Sequence, residues 1–275
     1  MVEMAEELGC QAEDPVMSRV CQYGSNVLSS LGRFEDFKRM PQAWLQITER
    51  GDDEFAKLQA ISAVTSSRAM LWGEEVSWVL TEDLIPRARA LGNPTNTTIC
   101  LTVVGLVRAQ EGRLEEAEEL FSEALAIARP TENHYTQALT LMVVAMLRFA
   151  TGRVAEAMQL ALAGAETAVW KDHMFFVSGL GTVAACLASF GCYRDAAVLS
   201  GVASPVLQAW AHGLMRVSDP VWRDAFVRLS ELHSHMDPTE YAELQARGRS
   251  MDDGELLQLA RRAVQAVEAG EATKD

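Results

Sequence analysis

Glu111-Gly112-Arg113-Leu114-Glu115-Glu116-Ala117 returns forty residues on as Thr151-Gly152-Arg153-Val154-Ala155-Glu156-Ala157. It returns again, thirty-nine further, as Phe190-Gly191-Cys192-Tyr193-Arg194-Asp195-Ala196. Upstream, Leu31-Gly32-Arg33-Phe34-Glu35-Asp36-Phe37 is another copy, and Trp72-Gly73-Glu74-Glu75-Val76 is the weakest. The five glycines stand 41, 39, 40 and 39 residues apart. A period of this size marks an array of helical hairpins, each burying its apolar face against its neighbours. Each glycine is then the turn between helix A and helix B, because a helix often ends in the left-handed conformation that only glycine adopts without steric cost.

The residues on either side agree with this register. Thr97 to Gln110 reads as helix A, and Leu114 to Arg129 as helix B. Glu115 and Glu116 fall in the first turn of helix B and Arg129 in its last, as the helix dipole favours. Ala117, Phe121 and Ala124 share one face of helix B, and Gly105 lies twelve residues before Ala117. The next unit repeats this with Ala145, Ala157, Ala161 and Gly164, and the one after with Ala184, Ala196, Ser200 and Ala203. Arg50-Gly51-Asp52-Asp53 and Leu91-Gly92-Asn93-Pro94 close the first two B helices. Pro41, Pro86 and Pro205 fall inside B helices and are expected to bend or split them.

These small-residue spacings resemble the tetratricopeptide repeat, with a period near 40 in place of 34. The resemblance implies an all-α fold, a right-handed superhelix of about five antiparallel hairpins. Beyond Ala203 the repeat lapses. A helix from about Pro220 to Met236 is followed by two capped starts, at Asp237-Pro238-Thr239-Glu240 and at Ser250-Met251-Asp252-Asp253, the latter running to about Ala269. The expected organisation is an acidic segment at 1–14, a repeat array at 15–211 and capping helices at 212–275 that cover the open end of the array.

Composition narrows the function. The formal net charge is −14 and lysine occurs four times, so direct binding to nucleic acid is not expected. Five cysteines, an odd number without a CxxC pair, argue against a disulfide framework or a structural zinc site and for buried thiols. Residues 1–14 are acidic and do not read as a signal peptide, and no apolar run is long enough to span a membrane. The expectation is a cytoplasmic protein with no cofactor, no metal and no membrane contact.

The tail carries a second resemblance. Ala196-Ala197-Val198-Leu199-Ser200-Gly201-Val202-Ala203, Tyr241-Ala242-Glu243-Leu244, and Gly248-Arg249-Ser250-Met251 leading into Leu256 to Ala263 resemble the end of the helical-repeat region of bacterial large ATP-binding regulators of the LuxR type. Related regions occur in antibiotic-pathway regulators. Leu31-Gly32-Arg33-Phe34 and Ala88-Arg89-Ala90-Leu91-Gly92-Asn93-Pro94 read the same way. Such regulators generally join an ATPase module, this repeat region and a DNA-binding helix-turn-helix. Here there is no GxxxxGK[ST] phosphate loop, and nothing after Ala269 forms a DNA-reading unit. The resemblance therefore implies the middle, sensor or partner-binding part. An excised domain and a stand-alone relative both fit.

In tetratricopeptide-type arrays the concave wall comes from helix A. By the register that wall includes Tyr23 and Asn26, then Thr102 and Leu106, then Met142, Met146 and Phe149, then Ser178 and Thr182. An apolar floor with methionine and a few hydroxyls suits a small organic ligand or a peptide. The same stripe at helical spacing also suits plain core packing. His134 and Tyr135, and one repeat later Lys171, Asp172 and His173, are expected along one rim. His233 and His235, two apart, point to different faces of a helix and do not make a metal pair. Without a nucleophile–base pair, the reading favours binding over catalysis. The alternatives are a small-molecule-tailoring enzyme that uses the groove as its active site, and a self-associating scaffold forming a homodimer. Partner proteins and the missing regulator domains are further candidate partners.

Overall fold

The computed structural model describes Gly24, residues 34–67, 82–168 and 173–214, Val227 and residues 231–270. Gly32, Gly73, segment 1–14 and most of the expected Pro220–Met236 helix lie outside the described residues. The fold is all-α: eleven α-helices and one 3-10 turn, with no strand among the described residues. The chain forms two compact units, Met1–Thr131 and Glu132–Asp275. No helix among the described residues is long and apolar enough to cross a membrane.

The first unit holds α1 (Phe34–Glu49), α2 (Glu54–Ser67), α3 (Leu84–Leu91), α4 (Pro94–Gln110) and α5 (Leu114–Ala128). Helix α4 starts where the sequence supplies both halves of a start signal. The Asn93 side chain accepts from the Asn96 amide, and Pro94 fills the first turn, where its missing N–H is no loss. Twelve of its seventeen residues are buried, so the helix lies in the core on nearly all sides. Leu58, Leu84, Ala88, Cys100 and Val104 form one apolar cluster that joins α2, α3 and α4. The Asn96 amide group donates to the Phe55 carbonyl at 3.2 Å and ties α4 to α2.

The hairpin turns are built three times from one set of bonds. Gly112 has φ 76°, Gly152 78° and Gly191 83°. At the first, Gly112 N–H donates to the Ala109 carbonyl and Arg113 N–H to the Arg108 carbonyl. Gly152 and Arg153 repeat this onto Phe149 and Arg148, and Gly191 and Cys192 onto Ala188 and Leu187. These paired bonds satisfy carbonyls that the helix end would otherwise orphan.

The second unit holds α6 (His134–Ala150), α7 (Val154–Ala168), α8 (His173–Ser189), α9 (Tyr193–Leu214), the 3-10 turn (Leu232–His235), α10 (Pro238–Ser250) and α11 (Asp253–Glu268). Each of α6 to α9 packs on the next, and α6 also touches α8. Small residues allow the close approach: a Cβ on Gly179 of α8 would lie 2.8 Å from the Ala161 carbonyl of α7. Both tail helices begin at the expected caps. The Asp237 side chain accepts from Thr239 and Glu240, and Asp252 forms a reciprocal capping box with Glu255.

Of the two outcomes expected at the prolines, splitting is not seen at any of the three. α1 runs through Pro41, held by buried Met40, Trp44 and Ile47, and α9 runs through position 205. Pro86 stands in the first turn of α3, where its N–H would have had no helical acceptor. The tail also divides: α10 packs along α9, whereas α11 turns back across α7, α8 and α9.

Candidate functional site

The candidate wall residues among the described ones occupy helices α4, α6 and α8, and these are buried. Thr102, Leu106, Met142, Met146, Phe149, Ser178 and Thr182 each expose less than a tenth of their surface. Their helices explain this. Neither α6 nor α8 carries an acidic residue, and α8 is buried continuously from Phe175 to Leu187. The Thr102 hydroxyl donates to the Thr98 carbonyl and the Thr182 hydroxyl to the Ser178 carbonyl, so both polar groups are satisfied within their own helix. Tyr23 and Asn26 lie outside the described residues.

Of the rim residues, His134 is exposed at the start of α6. Tyr135 meets Phe175 of α8 edge-to-face, with ring centroids 5.2 Å apart. It therefore helps join α6 to α8 through an aromatic contact. Lys171 and Asp172 lie outside the described residues, and of His173 the backbone alone is described. His233 and His235 are exposed on the 3-10 turn and engage different rings. His235 stacks on Tyr193 at 4.3 Å, and His233 is tilted against Tyr241 at 6.4 Å.

Two features escaped the sequence reading. The first is a repeated arginine bracket at the hairpin turns. Arg108 of α4 reaches Glu111 at 2.8 Å and Glu116 at 3.9 Å, and Arg113 also pairs with Glu116. One repeat later Arg148 reaches Glu156 at 3.5 Å while Arg153 pairs with it at 2.6 Å. Burial, and then the neighbouring Arg153 charge, push the Arg148 pKa down. The recurrence of Arg, Arg and Glu at a forty-residue interval was a signal that could have found it. The second feature is the Ser178 hydroxyl, which is buried with no hydrogen-bond partner. Nothing in a sequence shows whether a hydroxyl is satisfied.

Cys100, Cys186 and Cys192 are buried thiols, and burial pushes the Cys100 and Cys186 thiols up. A thiol held protonated is a poor nucleophile or ligand. Among the described residues no three His, Cys, Asp or Glu side chains are grouped to hold a metal ion.

Residues 97–165 match the tetratricopeptide repeat. The match covers most of α4, all of α5 and α6 and most of α7, a quarter of the chain, and includes two of the three glycine turns built alike. Neither the curated proteins nor the solved structures include one that matches the chain. This tetratricopeptide-like region belongs to a class of repeat that generally presents binding surfaces to protein or peptide partners.

Proposed function

We propose that the chain is a binding module whose A-helix wall in the second unit takes a small organic ligand or an apolar peptide, and that occupancy serves transcriptional control. The tetratricopeptide match at 97–165 is the observation that carries the binding reading. The Ser178 hydroxyl supports the location. An unsatisfied buried hydroxyl costs about 1–3 kcal/mol, and a ligand polar group that reached it would recover that cost. Met142 and Met146 on α6, adaptable side chains on the helix that touches α8, support an apolar complement. Because these residues are buried in the free chain, entry requires α6 and α8 to part, which gives a ligand a conformational effect. The regulatory link rests on the likeness of the tail to LuxR-type regulators.

The test is a thermal-shift screen of the intact chain against apolar peptides and small hydrophobic acids and alcohols. Met142→Ala and Ser178→Ala variants run in parallel. A hit whose affinity falls in both variants is the expected result. If no compound shifts the unfolding midpoint and the variants change stability alone, the reading is wrong.

A further inference from the structure

Helix α11 stands apart from its neighbours in how it is held. It presents Leu256, Leu257, Leu259, Ala260, Ala263 and Val264 inward, all buried, and lies across α7, α8 and α9. Its polar links to α7 are at exposed sites: Arg261 to Glu166 at 2.5 Å, and Gln159 to Glu268 at 2.6 Å. Their order makes α11 antiparallel to α7. Exposed pairs of this kind hold weakly. The middle of the buried stripe is alanine, so the seam is shallow.

Helix α10, the segment just before it, is held very differently. A Cβ on Gly248 would fall on the Val198 carbonyl, and one on Gly201 on the Gln245 backbone, so α9 and α10 meet backbone to backbone. Between α10 and α11 only Met251 and Asp252 intervene, both extended, with ψ 146° and 169°. Asp252 and Glu255 cap α11 with groups belonging to α11 itself. The helix therefore carries its own start signal and needs no contact with the body of the unit to begin.

From this arrangement we infer that the surface across α7, α8 and α9 is a helix-docking site, that α11 occupies it in cis, and that α11 yields it to an amphipathic helix of a partner. The partner helix has the chemistry the seam already accepts: an apolar stripe with alanine at its middle and a basic residue on the flank that meets Glu166. The acidic balance of the chain, −14, favours a basic flank. Helix-in-groove recognition reads such anchors at i, i+3, i+4 and i+7. This surface shares helix α8 with the A-helix wall, but the inference rests on the seam of α11 and not on ligand binding at that wall.

The probe is a fluorescein-labelled synthetic peptide with the sequence of residues 250–270, titrated by anisotropy into the full chain. The same peptide goes into a full chain carrying Ala260→Glu, which places a carboxylate in the apolar seam and disfavours cis docking. Binding at least about tenfold tighter to the A260E chain than to the wild type is the expected result, with no binding by a peptide that itself carries A260E. Hydrogen exchange on the wild-type chain gives an independent reading: α11 amides exchange through a local opening, at least about tenfold less protected than those of α7 and α8. Equal protection of α11 and α8 overturns the proposal. So does an A260E chain that unfolds outright, because a releasable helix leaves the rest of the unit folded. A folded A260E chain that fails to bind the peptide overturns it as well.

Discussion

At the scale of single residues, the three turn glycines carry the most structural information. Gly112, Gly152 and Gly191 adopt a φ that costs an L-residue about 1–2 kcal/mol, although a Cβ at Gly112 or Gly152 would meet no other atom. Replacing Gly112 or Gly152 by Ala should therefore lower stability by about that amount through backbone strain alone, read as a shift of the urea midpoint with an unchanged m-value. An ion pair gives a second prediction. The Arg87 side chain bonds Glu54 at 2.7 Å and holds its carboxyl below the ordinary 4.5. The sign follows from the lowered pKa: the contribution is complete above the unfolded value and disappears as pH falls through the folded one. Both side chains are more than a third exposed, so the effect stays within about 1 kcal/mol. Wild type should exceed Glu54→Gln in stability at pH 7, and the excess should shrink as pH is lowered to 3, compared by denaturant titration. A constant difference at both values would show that the pair does not titrate as its geometry requires.

At the scale of elements, hairpin packing sets a size rule that the repeats solve in different ways. In the first glycine-turned hairpin Gly105 faces Phe121, and a Cβ there would approach the ring to 2.7 Å. The equivalent positions are Ala145 with Ala161, then Ala184 with Ser200, all buried. Gly105→Ala alone should cost about 1–3 kcal/mol by overpacking. Combined with Phe121→Ala it should cost less than the sum of the single changes, by at least about 0.5 kcal/mol in a double-mutant cycle. Additivity would mean the two residues do not share the space. This pairing was legible because glycine and alanine at fixed spacings have few other uses. The turns were legible for the same reason, and so were the caps at Asp237 and Asp252. The placement of the A-helix stripe was not. Met142, Met146 and Phe149 recur at helical spacing whether they face a groove or a core, and periodicity names a face without naming what covers it. Pro86 misled because the start of α3 could not be read, so a first-turn position looked like an interior one. The return of α11 across α7 to α9 was illegible on the same ground: its amphipathic pattern shows that one face is covered, not by what.

At the scale of the whole molecule, charge and the packing of the tail dominate. A chain of net charge −14 repels itself, so screening should favour the folded state. Raising salt from about 20 mM to about 300 mM shortens the Debye length several-fold and should raise the melting temperature by a few degrees. A fall would mean that bracket pairs such as Arg113–Glu116 outweigh the net repulsion. The close fit of α10 on α9 is set at Gly248. Its Cβ-less backbone lets α10 lie along α9, and the remaining face of α10 carries Glu243, Arg247 and Arg249 to solvent. Gly248→Ala should release α10 and its contacts, measured as lost exchange protection at Leu244 and in the first half of α9. The return of α11 also governs how the chain could change length over generations. Copies of a forty-residue block inserted upstream of α6 would leave the seam of α11 on α7, α8 and α9 intact, whereas a copy inserted after α10 would break the two-residue link by which α11 reaches that seam. Gene duplication could therefore lengthen this protein within the repeats, but not between its last two helices.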